Sequence, residues 1–387
     1  MPARADNGPM EPHLSLALLG GLSPALFMRR HWQNKPLLVR QALPAVAPPL
    51  TRTQLFDLAA SDGVESRLVR RVGEGWSLRR GPLPRRALPA LSHPGWTVLV
   101  QGLDLHVPAA HELLRRFRFV PDARLDDLML SYASDGGGVG PHLDSYDVFL
   151  IQVLGQRRWR IGRARDRSLI DGLPLKILRH FEPEHDWLLQ PGDMLYLPPH
   201  WAHDGIAVGE CMTASVGFRA PGPAELAREL LVRLADAVEP AASEGLYGDA
   251  AQPATTTPAA IPPALHDFAA AALHKALRDP QALARALGEW LSEPKAQVWF
   301  DPGAGHLDPW LGVVLDRRTR MLYDARHVYL NGEAFRASGG DARLLRRLAD
   351  ERRLAAGDLQ RLSAQARALI ADWARAGWLH RDEGHDA

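Results

Sequence analysis

Between Asp126 and Arg219 the chain is written as short apolar or β-branched runs cut by glycine and proline. They are "DDLMLSYA" (126–133), "DVFLIQVLG" (147–155), "RRWRIG" (157–162), "DMLYLPP" (193–199) and "TASVGFRA" (213–220). Runs of this kind suit strands, whose side chains alternate between two faces. No helical pattern recurs between them, so a parallel α/β sheet is not expected; a sandwich or barrel is. The spacing predicts a hairpin from 147–155 and 157–162, turned at Gly155, and a strand stopped by Pro198-Pro199. The class is mixed, with a mainly β core.

The flanks read differently. Residues 1 to about 100 mix short helices and loops. Leu22 to Leu38 reads as a helix running into the extended "KPLLVR", and "WTVLVQ" (96–101) as a buried strand. Pro221-Gly222-Pro223 marks a boundary, after which Leu226, Leu230, Leu231 and Leu234 recur at helical spacing. Ala241 to Pro263 is rich in Ala, Pro and Thr and reads as a linker; Leu265 to Leu291 holds two amphipathic helices broken near Asp279-Pro280. From about Val298 come "LGVVLDRR" and "HVYLNGEAF", strands of which the second turns at Asn331-Gly332. Helical stretches follow at 341–353, 357–362 and 363–376, an order that resembles a winged helix. The expected division is 1–221 for a catalytic β domain, 222–297 for a helical region and 298–387 for the winged-helix-like domain.

Composition removes several classes. A formal net charge of +1 over 387 residues gives no global attraction to nucleic acid or membrane. Residues 341–387 carry 9 Arg against 8 acidic residues, so direct DNA binding is not expected and a packing or protein-binding role is. The single cysteine, Cys211, excludes a disulfide framework and a cysteine-based zinc site. Leu14 to Phe27 is apolar but interrupted by Gly, Ser and Pro and follows acidic residues, unlike a signal peptide. No run approaches the ~20 apolar residues of a membrane span. A cytoplasmic protein is expected.

The chemistry concentrates in "GVGPHLDSYDVFLIQ" (138–152). In an extended chain His142 and Asp144 point the same way, after a glycine-rich turn and before a rigid apolar run. A second "HLD" at His306-Leu307-Asp308 lies among Gly and Pro with no strand after it, and is set aside. "PHWAHDG" (199–205) offers a third ligand in His200 or His203. His203 is favoured, because it opens the next strand and antiparallel neighbours could bring it beside His142. Two histidines and a carboxylate form the facial triad suited to non-haem Fe(II), leaving one side of the ion open. Arg157 stands across Gly155 with Trp159 on one strand face, against Arg158 and Arg160 on the other; a guanidinium there could grip a carboxylate with two hydrogen bonds.

These residues resemble the JmjC branch of the cupin superfamily, the Fe(II)- and 2-oxoglutarate-dependent oxygenases. They are most similar to bacterial ribosomal oxygenases that hydroxylate an arginine of large-subunit ribosomal protein L sixteen. The matching segments are "HWQNKPLLVR" (31–40), "DDLML" (126–130), "GGGVGPHLDSYDVFLIQ" (136–152), "GQRRWRIG" (155–162), "GDMLYLPP" (192–199), "HDG" (203–205) and "SVGFRAP" (215–221). The resemblance implies a double-stranded β-helix, the JmjC/cupin jelly roll, holding Fe(II) through His142, Asp144 and His203. It implies 2-oxoglutarate as cosubstrate with O2, Arg157 on its distal carboxylate and Ser131 beside it. It also implies a helical dimerisation region that makes a homodimer, then a C-terminal winged-helix domain. The family's substrate pocket maps to Asp127, Met129, Tyr146 and Ser215. There a carboxylate would pair with the substrate guanidinium while Met129 and Tyr146 cover its methylenes, presenting the β-carbon of an arginine of a large-subunit ribosomal protein. A JmjC-type histidyl hydroxylase, a lysine demethylase, a non-catalytic metal-binding cupin and a winged-helix regulator with a cupin sensor are the alternatives.

Overall fold

The structure is a computed structural model that describes residues 11–73, 75–238, 246–250, 252–303 and 311–382. The second "HLD" at 306–308 lies outside the described residues, as does part of the 241–263 linker.

Nine strands make one continuous sheet system: β1 (Leu37–Val39), β2 (Ser66–Val72), β3 (Gly75–Arg80), β4 (Trp96–Val100), β5 (Leu125–Ala133), β6 (Asp147–Arg163), β7 (His185–Leu189), β8 (Met194–Leu197) and β9 (Trp201–Phe218). β6 and β9 pair antiparallel over their whole lengths, from Asp147 opposite Phe218 to Arg163 opposite Trp201. Their halves belong to different layers. Val148 to Ile151 of β6 pairs β8, and β9 pairs β5, which leads through β4 to β2 and β3. Arg157 to Ile161 of β6 pairs β7 instead. The two layers close on a small core of Val148, Leu150, Trp159, Ile161, Leu189, Leu195, Leu197 and Trp201. That closure is the double-stranded β-helix.

The opposite face of the larger layer carries Phe149, Ile151, Leu128, Leu130, Tyr132, Ala214, Val216 and Phe218. Period-two alternation sends these residues one way and the barrel lining the other. They are covered by α1 (Pro24–Arg30), α2 (Arg52–Ala59), α3 (Leu103–His106) and α4 (Pro108–Arg115), with Phe27, Leu55, Leu103 and Leu114 inserted. Ser23 caps α1 and Thr51 forms a capping box with Gln54 on α2.

Gly155 does not turn a hairpin. The chain passes through it in one 17-residue strand, with register shifts against β9 between Gln152 and Gln156. Gly155 takes φ +60 there, and a Cβ would sit 2.0 Å from the Glu210 carbonyl oxygen. Glycine thus supplies a bulge that bends one strand between two layers, a feature glycine can mark as readily as a turn. Gly155→Ala is expected to cost roughly 3 kcal/mol or more through backbone strain and that clash, read as a lower urea midpoint at unchanged m. Likewise β9 begins at Trp201 rather than near Thr213, and the arginine-rich β2 and β3 form strands where loops were expected. Their mixed polar sequence belongs to the end of the sheet, where packing is one-sided.

Beyond Phe218 the chain turns helical: α5 (Pro223–Asp236), α6 (Pro263–Leu277) and α7 (Pro280–Ser292), the last capped by Asp279. The C-terminal unit has a three-stranded sheet of β10 (Gly312–Leu315), β14 (Arg353–Leu354) and β15 (Leu379–Asp382). Its β11 (Met321–Tyr323), β12 (His327–Leu330) and β13 (Glu333–Arg336) form a meander. With α8 (Gly339–Glu351), α9 (Ala356–Gln360) and α10 (Ala364–Arg375) they enclose a second core around Val313, Leu348, Ile370 and Trp373. Asn331 and Gly332 both take positive φ, as the β12–β13 hairpin turn requires. Arg118 ties this unit to the β-helix through the Ala349 and Asp350 carbonyls at the end of α8; Arg317 donates to Leu105 and Arg320 to Leu125.

Candidate metal centre

The segment that carries His142 and Asp144 is pinned at its exit by Asp147. This carboxylate is buried and accepts from Tyr196 at 2.6 Å and from Gln33 and Arg124 at 3.1 Å each. Upstream, His142 and His203 exchange both main-chain hydrogen bonds, at 3.1 and 3.0 Å, as an isolated antiparallel rung. Side chains on one rung project from the same face, so the two imidazoles meet, with centroids 4.2 Å apart. Asp144 Oδ2 lies 3.7 Å from His142 Nε2 and 3.5 Å from His203 Nε2, and the three donor atoms fall within 4.8 Å of one another.

The ring orientations are set from behind. His142 Nδ1 bonds the Gly140 carbonyl at 2.8 Å, and His203 Nδ1 bonds the Trp201 carbonyl at 3.0 Å. Each Nδ1 must carry the proton to donate to a carbonyl, so each Nε2 presents its lone pair inwards. Burial pulls the His142 ring towards the neutral form, but Asp144 outweighs it and the pKa is raised. Burial likewise opposes the Asp144 charge, and the two histidines hold its carboxyl well below the usual range. An ionised carboxylate and two inward nitrogens fit a divalent first-row metal, with other coordination positions left to small ligands. His200 is not in the trio. Its side chain is exposed, and its backbone, at φ +70, donates N–H to the Asp144 carbonyl at 3.1 Å. The structure thus gives this residue a supporting part that its imidazole did not suggest.

Arg157 runs into the same interior and is 4% exposed. Its guanidinium donates to Ser131 Oγ at 3.3 Å and to the Gly205 carbonyl at 3.1 Å, and lies 5.0 Å from the Trp159 ring centroid. Its Nε has no partner, and among the described residues no acid pairs with it. Burial lowers its pKa, with weak opposition from Cys211 and Asp204. Gly205 makes the room: a Cβ there would lie 2.7 Å from the Trp159 ring and 2.8 Å from Arg157 Nε. A buried cation without a counter-charge is costly. It is a ready receptor for an anion. Arg158 and Arg160 face outward to Asp186 and Asp204.

The remaining residues line one face. Asp127, Met129 and Ser131 alternate along β5, opposite Gly217, Ser215 and Thr213 of β9. About 13 Å of strand separates Asp127 from Ser131. Tyr146 packs beside Gly217, as does Asp127 Oδ1, and the Tyr146 hydroxyl is pushed up to about 12 by burial and by Asp126. This strand face therefore carries a buried cation near one end and a buried carboxylate at the other. Asp127 is not free, however. Its Oδ2 accepts from the Gly102 N–H at 2.8 Å and from Lys295 Nζ at 2.8 Å. Neither partner carried a signal in the sequence: Lys295 sits in an unremarkable "EPKAQ" far down the chain.

Comparison with known proteins adds a lineage to this geometry. Residues 112–226 match the JmjC domain and residues 274–380 the ROXA-like winged helix. The chain is 36% identical over 319 residues to the ribosomal protein uL16 3-hydroxylase of Escherichia coli K12, covering 79% of this chain and 84% of that one. It is 37% identical over 210 residues to a probable ribosomal oxygenase of Haemophilus influenzae, covering 53% and 52%. Among solved structures, E. coli YcfD superposes with a TM-score of 0.81 at 30% identity, covering 92% of this chain and 97% of that one. YcfD in complex with cobalt and 2-oxoglutarate superposes at 0.77 with 31% identity and the same coverage.

Proposed function

Because the chain belongs to the JmjC-domain ribosomal oxygenases, we propose that it hydroxylates the β-carbon of an arginine in the large-subunit ribosomal protein uL16. It is a 2-oxoglutarate-dependent dioxygenase using Fe(II) and O2. The observation that carries the reading is the pairing of an open His142/Asp144/His203 cluster with an unmatched buried cation, Arg157, in one barrel.

His142, Asp144 and His203 would hold the iron, which would supply O2 activation coupled to the conversion of 2-oxoglutarate to succinate and CO2. The rest is placement by the chain's own groups. Arg157 takes the distal carboxylate of the cosubstrate with two parallel hydrogen bonds, Ser131 at its side. Trp159 and Gly205 shape the slot and keep water from the guanidinium, which strengthens its hold. At the far end Asp127 receives the substrate guanidinium, Met129 and Tyr146 cover its methylenes, and Ser215 adds a polar contact. A side chain anchored through its guanidinium and packed along its methylenes offers one C–H to the reacting centre, and positional control of this kind sets regiochemistry.

Further features support the assembly expected of such an enzyme. Leu231 and Val232 of α5 and Phe268, Leu273 and Leu277 of α6 are exposed apolar residues on the helical region. Pairing with a second copy would cover them and make a homodimer. Among the described residues no helix is long and apolar enough to cross a membrane. A ribosomal substrate supports a cytoplasmic location.

Incubation with Fe(II), 2-oxoglutarate and large-subunit ribosomal proteins is expected to add one oxygen atom to an arginine of uL16, read by peptide mass spectrometry. Loss of a methyl group, or oxygen on a histidine, would reject the arginine assignment. Asp127→Asn is expected to raise the peptide KM roughly tenfold to a hundredfold with little change in the KM for 2-oxoglutarate.

A further inference from the structure

Lys295 lies between α7 and β10, outside the β-helix, yet its ammonium reaches the start of β5. It is 2.8 Å from Asp127 Oδ2 and 3.1 Å from Asp126 Oδ1, and the side chain is largely buried. Among the described residues it is the one side-chain cation within ion-pair distance of Asp127. Arg219 pairs with Asp126 at 2.9 Å and also hydrogen-bonds Tyr146. A third carboxylate, Asp104 of α3, accepts the Leu128 N–H at 2.8 Å; burial and the nearby Asp127 push its pKa up to about 7.

Three acids therefore crowd the start of β5. Carboxylates that share a buried site do not all ionise without a counter-charge. The Lys295 pKa is raised by Asp127 and Asp126 against the opposing effect of burial, so the ammonium stays charged. It also fixes orientation. With Oδ2 committed to Lys295 and to the Gly102 N–H, Oδ1 is left on the Gly217 and Tyr146 side, 3.9 Å from where a Gly217 Cβ would stand.

We propose that Lys295 is a positioning residue for the hydroxylation: it pairs with Asp127 Oδ2 and keeps the carboxylate turned with Oδ1 towards Gly217 and Tyr146, so that the substrate site is completed by a segment at the start of the C-terminal unit. The inference rests on the reading that Asp127 receives the substrate guanidinium. It follows that the β-helix alone is an incomplete peptide site, although it holds the three metal-facing donors and Arg157. It also gives the C-terminal unit a part in substrate binding without any contact of its own with substrate.

The test is Lys295→Met in the full-length enzyme, with peptide KM, kcat and 2-oxoglutarate KM measured separately. The peptide KM is expected to rise roughly tenfold or more, since a buried partner of the binding carboxylate is lost. The 2-oxoglutarate KM and the kcat at saturating peptide should move by less than about threefold, a split that general loss of packing does not produce. Lys295→Arg should restore most of the peptide KM. If Lys295→Met does not fold, Lys295→Gln keeps a donor, drops the charge and should give the same split. An unchanged peptide KM overturns the proposal, and a lowered one recasts Lys295 as a competing cation. Asp127→Asn run in parallel separates the two levels. If it leaves peptide KM unaltered, the substrate reading itself has failed. If it raises KM while Lys295→Met does not, only the role of Lys295 falls.

Discussion

Replacing His142 by alanine is expected to abolish hydroxylation, with a loss of about a thousandfold or more in turnover, the scale of several kcal/mol of metal-dependent stabilisation. The reason is geometric. Among the described residues His142 contributes one of three inward donors, and the rung that pairs it with His203 is made by the backbone. The alanine variant keeps that rung and gives up only the nitrogen. Circular dichroism should therefore stay native while bound iron, measured by elemental analysis, falls with activity. Turnover that survives the substitution would remove the trio from the mechanism.

Arg157→Met carries the second large effect, and its sign depends on what is bound. Without 2-oxoglutarate the wild-type chain buries a guanidinium that, among the described residues, lacks both an acid partner and a partner for Nε. Replacing it by an apolar side chain of similar length removes that cost, so the unliganded variant should be as stable as wild type or up to a few kcal/mol more stable. Cosubstrate reverses the order. At a hundred times its dissociation constant a ligand adds about 2.7 kcal/mol to the stability of the native state. The wild type should gain this in a thermal melt, and the variant, weakened roughly a hundredfold or more, should gain almost none at the same concentration. A variant destabilised without cosubstrate, yet still raised by it, would mean that Arg157 is a framework residue and that the anion binds elsewhere.

The parts of this site that are local in sequence were the legible ones. His142 and Asp144 sit two apart before an apolar run, and alternation alone places Arg157 with Trp159 and Asp127 with Met129 and Ser131. The strands β5 and β8 show the period or the proline stop that marks them. What escaped was whatever depends on a partner distant in the chain. Gly155 looks the same at a turn as in a bulge; only the long opposing strand decides between them. Trp201 to Gly209 holds His, Asp and glycines that weaken a strand pattern, and pairing with β6 overrides it. The arginines of β2 hid a strand because its neighbours, not its composition, bury Leu68 and Val69. Lys295 had no signal at all, since its meaning lies in three aspartates on other elements. The imidazole of His200 drew attention while its N–H did the supporting.

The end-to-end pairing of β6 with β9 has a kinetic side. Their nearest ends are joined through residues 164–200, so a long loop must close before the first rung can form. His142 and Asp144 are neighbours in any conformation, even in a denatured chain. His203 joins them only after that zipper has closed. An ion captured by the finished trio has no equal among unfolded conformers, so nearly all of its affinity counts towards the native state. It acts as a clasp fastened last, delaying escape from the folded state far more than it hastens arrival there.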